Sequence, residues 1–346
     1  MRGAGVSDAQ FLRRAAMLLG LLGLAWLAWS LRGLLILVFG AVLLAVILRA
    51  LVEPARDRLH LKDGAALALA VAVVAGTLLG ALWLFGAEVA AQASSLGEAI
   101  PAAWQAVEGR LDRLGIGQAL REQFEELSSG GIFQHLGGVA LSFGSGLADA
   151  LLVVVGGIYI AGNPELYRRG IIKLAPPRSR GLVATALDDS GRALRLWLLG
   201  QLASMVVVGV LTTVGLLLLG VPSALVLGLL AALLEFVPFI GPIAAAVPAL
   251  VLALAVDPEL ALWVAALYLV VQQLEGNVIQ PIVQQHAVEL PPAILVFSLV
   301  AAGLMFGIVG IIFAAPLTVV AFVLVKRLYI REALSTRTTI PGEADP

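Results

Sequence analysis

The strongest constraint on this chain is a series of apolar runs of membrane-spanning length, the later ones broken by glycine, proline and acidic residues. Such runs read as transmembrane helices. Breaks in them are tolerated only where protein or a water-filled cavity satisfies the freed backbone groups. The breaks therefore mark the expected working region, residues 200–325. The composition agrees: 60% of residues are hydrophobic and 13% charged, against about 25% charged in an average soluble domain. The expected class is an all-α polytopic membrane protein.

The first part of the chain reads as a scaffold, residues 1–199, with four transmembrane helices. Segments 15–31 and 34–48 are separated only by Arg32 and Gly33 and predict a tight helical hairpin. Segments 64–86 and 139–160 complete the four, and Asp149 lies inside the last. Between them, residues 87–137 are polar and acidic. Trp104, Val107, Leu111 and Leu114 recur there at helical spacing, as in an amphipathic surface helix. The loop 162–196 is basic, and its Asp188 and Arg192 stand four apart, a spacing that supports an ion pair on a helix. The Lys/Arg bias places both termini, the 49–63 loop, the 162–196 loop and the 326–346 tail on the cytoplasmic side, with 87–137 outside.

Residues 200–325 read as an inverted repeat. Segment 201–219 is a full crossing, but 223–237 and 243–256 hold about 14–15 residues each. At ~1.5 Å per residue that is roughly 21–23 Å, short of a hydrocarbon core about 30 Å thick. Pro238, Gly241 and Pro242 join them, which predicts a re-entrant hairpin. Segment 260–277 crosses back, and 293–325 is broken at Gly307 and Gly310, a second hairpin of opposite sense. The count is about six full transmembrane helices plus two opposed re-entrant hairpins; the alternative is eight to ten ordinary helices. Short, interrupted segments in corresponding positions of two inverted halves point to a transport site near the midplane.

Glu235 sits at the first hairpin tip and Glu275 in the polar run before Pro281. An acid at membrane depth costs about 2.5–3.5 kcal/mol on insertion scales, so it must face protein or water. Each reads either as a proton or cation site or as a structural carboxyl. On an unbroken helix Gln273, Asn277 and Gln280 share one face, with Glu275 roughly opposite. Gly276 and Pro281 argue for a break that would let them converge on a ligand. Gly307 and Gly310 read either as part of that site or as close-packing positions. Asp149 reads more simply as a partnered structural acid than as a relay.

Other functions find less support. The chain has no cysteine, and His60, His135 and His286 show no metal-ligand spacing. No cofactor and no nucleic-acid partner is expected. An intramembrane serine enzyme would need Ser142 or Ser145 within reach of His286, and nothing in the sequence joins them. A channel would need pore-lining polar rings.

Gly200-Gln-Leu, Gly220-Val-Pro, Phe236-Val-Pro-Phe-Ile-Gly-Pro, Glu275-Gly-Asn with Pro281, Leu290-Pro-Pro and the late Gly307-Ile-Val-Gly, taken in order, resemble the autoinducer-2 exporter family (AI-2E family transporters). The resemblance covers most of the chain and is strongest after Asn163. It implies a non-enzymatic, multi-pass transporter of the bacterial inner membrane that forms a homo-oligomer in lipid. It implies export of a small signalling molecule such as autoinducer-2, ion-coupled by alternating access, or in some members sodium (or other monovalent cation)/proton antiport.

Overall fold

The computed structural model describes residues 26–80, 132–281 and 290–340 apart from 337, with isolated positions before residue 24 and at 83 and 84. The described residues are overwhelmingly helical and contain no strand. In chain order the helices are α1 Arg32–Leu59, α2 Asp63–Gly80, α3 Ile132–Gly162, α4 Pro164–Leu174 and α5 Arg180–Leu218. Then come α6 Ala224–Leu234, α7 Ile240–Val256, α8 Pro258–Leu274 and α9 Pro292–Leu324. Wider π-helical turns, Glu275–Ile279 and Val325–Ala333, extend α8 and α9. By length and composition five described helices are apolar enough to cross a membrane, among them α9, which is broken at Gly307, and six when α3 is taken with α4, bent 92° from it. The protein is thus an all-α polytopic membrane protein.

Two apolar helical hairpins interrupt this pattern. The first is α6 and α7, of 11 and 17 residues, or roughly 17 and 26 Å at ~1.5 Å per residue. The second lies inside α9, where Gly307 adopts φ 65°, ψ −147°. Only glycine visits that region readily. The chain doubles back there, because Leu299 and Ala302 pack against Ala314 and Ile311 from beyond the break. One glycine in each hairpin lets the arms close. A Cβ on Gly241 would collide with the Leu234 carbonyl, and one on Gly310 with the Ala302 carbonyl.

The hairpins point in opposite directions along α5. The base of the first packs at one end, where Val221, Ala253 and Ala261 surround Leu216. Its tip reaches the other half, where Phe236 meets Leu194, Leu198 and Trp197. The base of the second packs at that far end, where Val319 and Val323 bury Ala193. Val237 of the first tip then rests against Leu299, Ala302 and Ala314 in the middle of the second hairpin.

α1, α2 and α3 form a separate layer through Ala45, Leu48, Val52, Ala66, Ala70 and Ala161. Small residues let these backbones approach: a Cβ on Gly156 would stand 3.1 Å from that of Ala41. α1 also touches the second hairpin, with Phe39 edge-on to Phe313 at 6.2 Å.

Two local expectations are corrected. The chain does not reverse at Arg32 and Gly33. Both residues lie inside α1, and the break falls at Leu31 (φ −92°, ψ 9°), where Leu31 N donates to Leu27 O and Leu35 N to Leu31 O, both at 2.9 Å. Arginine is a good helix former and one glycine is too small a break to stop it. Asp188 takes a two-pronged bond from Arg168 of α4 at 2.7 and 2.6 Å, the geometry guanidinium favours, and Arg192 approaches Asp189 at 3.8 Å. The crossing drawn from residue 201 is the second half of one 39-residue helix that starts at Arg180. The amphipathic segment 87–137 lies outside the described residues except for 132–137, which open α3.

Candidate functional site

Glu235 and Glu275 are buried, at 1% and 5% exposure, and both line one small pocket. Forty residues apart in sequence, they are brought together by two different backbone devices.

The first is the tip of hairpin one. α6 ends at Leu234, Pro238 has no N–H to continue it, and Phe239 turns the chain with φ 66°, ψ −47°. Ile240 N donates to Pro238 O and Gly241 N to Val237 O, each at 2.8 Å, which fixes the turn. Gln201 of α5 holds it from outside, its Nε2 donating to the Glu235 backbone carbonyl at 2.6 Å. The Glu235 side chain is thereby aimed inward.

The second device is the π-helical turn at Glu275–Ile279, in which Gln280 N bonds to Glu275 O five residues back. Such single wide turns recur at functional sites. Here it swings Gln280 onto the acid: Gln280 Nε2 donates to Glu275 Oε1 at 3.0 Å and Gln272 Nε2 donates to Oε2. Glu275 is thus held by two amides on its own helix and presented to Glu235.

The pair lines a small pocket with Thr212, Tyr268, Pro242 and Ala245, a cavity of about 10 Å³. Tyr268 closes one wall, its hydroxyl donating to Ala245 O at 3.2 Å. Two buried oxygens there have no hydrogen-bond partner, Glu235 Oε2 and Thr212 Oγ1. Orphaned buried polar atoms call for a water, a proton or an ion. Two buried carboxyl groups that share a pocket repel when both are charged, which a proton or a compensating cation relieves. The arrangement can therefore hold an exchangeable proton or a small cation, and it is too small for an organic molecule. No group of three or more acidic or histidine side chains suited to a metal ion occurs among the described residues.

Of the residues expected at the site, the structure brings together Glu235, Pro242, Glu275 and Gln280. Pro238 and Gly241 shape the tip without lining the pocket. Gln273 and Asn277 lie on the exposed side of α8, where Asn277 Nδ2 donates to Gln273 O at 3.0 Å. Pro281 is exposed as well. Gly307 and Gly310 belong to the other hairpin tip. Asp149 is exposed on α3, away from the pocket. Gln201 entered the sequence reading only within the Gly200-Gln-Leu motif, and Thr212, Tyr268 and Gln272 were not expected at the site. A polar residue in an apolar helix was the available signal.

Known proteins similar to this chain are named for transport. YrrI of Bacillus subtilis is 30% identical over 47% of this chain and 46% of its own length. YhhT of Escherichia coli, also named as a transport protein, is 31% identical over 45% of this chain and 40% of its own. PerM of Escherichia coli, named as a permease, is 29% identical over 41% and 40%. The chain thus matches less than half the length of these relatives. The profile of the AI-2E family of transporters matches far more, residues 15–330. The chain belongs to the AI-2E transporter family, and it is a multi-pass membrane protein of a transport family.

Proposed function

We propose that this protein is an ion-coupled secondary transporter in which Glu235 and Glu275 hold the coupling proton. The observation that carries this reading is the buried carboxyl pair, set where a hairpin tip meets a π-turn. Loading or removing one proton changes what holds the tip of hairpin one against α8. That couples the charge of the pair to movement of the hairpin, as alternating access requires. The cargo in this reading is a small organic signalling molecule such as autoinducer-2, moved outward across the bacterial inner membrane, with both termini cytoplasmic and the chain in a homo-oligomer. The cargo binds elsewhere than the acid pocket, because the pocket has room for on the order of one water.

A second reading is supported by the orphaned Thr212 hydroxyl and Glu235 Oε2. Hydroxyl and carboxylate oxygens are hard ligands that suit a sodium-sized cation, and exchange of such a cation for the proton would make the protein a cation/proton antiporter.

Proteoliposomes holding an internal pH dye separate the two. Sodium, lithium or potassium is added outside, and autoinducer-2 in a separate run. Proton movement on autoinducer-2 alone supports the exporter. Proton movement on a cation alone supports the antiporter. No proton movement with any of them overturns proton coupling.

A further inference from the structure

The two hairpin tips carry opposite chemistry, and the second has a cleft that the acid pocket lacks. Around Gly307 the tip of hairpin two faces the start of α1 across a cleft of about 790 Å³, lined by Trp26, Trp29, Arg32, Ile36 and Phe306. That volume lies in the range of small-molecule sites, roughly 300–1,000 Å³. The Arg32 guanidinium stands 4.5 Å over the Trp29 ring. Among the described residues no carboxylate pairs with it. An arginine within an otherwise apolar stretch is costly unless it meets a partner, and a guanidinium is built to grip a carboxylate or phosphate in two-pronged fashion. The exposed indoles of Trp26 and Trp29 supply flat apolar faces beside the charge.

We infer that this cleft binds an amphipathic organic anion, its acidic group on Arg32 and its apolar body against Trp26, Trp29 and Phe306. The inference rests on the reading of an organic cargo and names its class: the cargo is a free organic anion, bound at the tip of hairpin two while the proton sits at the tip of hairpin one. Both tips lie on hairpins packed against each other through Val237 and Ala302, which gives the two sites a direct mechanical link.

The test is equilibrium binding of radiolabelled 2-naphthoate to the detergent-purified full chain, with neutral 2-naphthamide as competitor. Saturable naphthoate binding that naphthamide does not displace is expected. Arg32→Gln weakens it at least about tenfold, Arg32→Lys less, and Trp26→Ala, at an exposed position that tolerates truncation, by a few-fold. Arg58→Gln, an exposed charge at the far end of α1, leaves it unchanged. Binding that is absent in the wild type, or equal in Arg32→Gln and Trp26→Ala, overturns the proposal. A lipid headgroup offers the same anionic chemistry. Naphthoate binding that survives in nanodiscs of phosphatidylglycerol supports a free solute. Loss of that binding, with phosphatidylglycerol retained by the wild type and not by Arg32→Gln, assigns the cleft to lipid and overturns the solute. The assay needs no proton movement, so silence in the pH-dye experiment removes the coupling reading and leaves this one standing.

Discussion

The two hairpins share a backbone plan and differ in what their tips hold. Each has two short apolar arms, a turn residue at positive φ (Phe239 and Gly307) and one glycine pressed against a carbonyl of the opposite arm (Gly241 and Gly310). The first tip buries an acid against a second acid. The second opens on a cleft with an arginine and two tryptophans. Glycine and proline set the shape of both, so the shape by itself assigns no function. The side chains one to four residues from each turn, and the helix each turn faces, decide which tip is closed around a proton-sized site.

The sharpest way to break the comparison is to remove the close approach. Gly241→Ala and Gly310→Ala each force the arms apart, and the expected loss is about 1–3 kcal/mol, read as a lower melting temperature of the purified protein. Gly276→Ala is the control, since nothing stands within 4 Å of a Cβ there. A change within about 0.5 kcal/mol is expected. Equal melting temperatures for all three would mean that the arms are not clamped as described.

Next in size are the acids. Glu275→Gln and Glu235→Gln keep the shape and remove the exchangeable charge. Coupled transport should fall about tenfold or more, with normal yield and melting. Unchanged transport in either would leave that acid structural. A smaller effect, a few-fold loss of transport, is expected for Gln280→Leu, which removes one of the two amides that aim Glu275. Gln273→Ala and Asn277→Ala, on the outer side of the same helix, should leave the rate unchanged. A loss as large as that of Gln280→Leu would move the site to the other face of α8.

The smallest effect is expected far from both tips. Arg168→Gln breaks the bond to Asp188 between α4 and α5. Both side chains are partly exposed, at 34% and 44%, so the expected loss is about 0.2–1 kcal/mol, smaller still in high salt. Thermal melts at two ionic strengths measure it.

Much of the architecture was legible because glycine and proline act locally. Pro238, Gly241, Gly307 and Gly310 mark turns and close approaches whatever surrounds them. Arg32 and Gly33 misled because two residues of which one favours helix do not stop a helix driven on both sides by apolar sequence. Contacts between distant segments left weaker marks. Glu235 and Glu275 each stood out as acids at membrane depth, but their pairing depends on how α8 lies against hairpin one. A regular helix puts Gln273 and Asn277 with Gln280, whereas the π-turn inserts one residue and brings Gln280 round to Glu275, a break the sequence placed at Gly276 without fixing its form. Gln201, and Thr212 beside Thr213, sit in a long apolar helix, where an uncharged polar residue more often caps or packs than binds. Trp26 and Trp29 read as part of the first apolar segment and Arg32 as its connection to the next, so their cleft with hairpin two was not visible.

The central claim is that Glu235 and Glu275 together keep one exchangeable proton. Infrared difference spectroscopy of the purified protein in light and heavy water tests it most directly, because a protonated carboxyl has a carbonyl band that an ionised one lacks. A protonated-carboxyl band at neutral pH that shifts on isotope exchange, persists in Asp149→Asn and disappears in the Glu235→Gln/Glu275→Gln double variant is the predicted result. No such band in the wild type, or a band that survives in the double variant, would contradict the account.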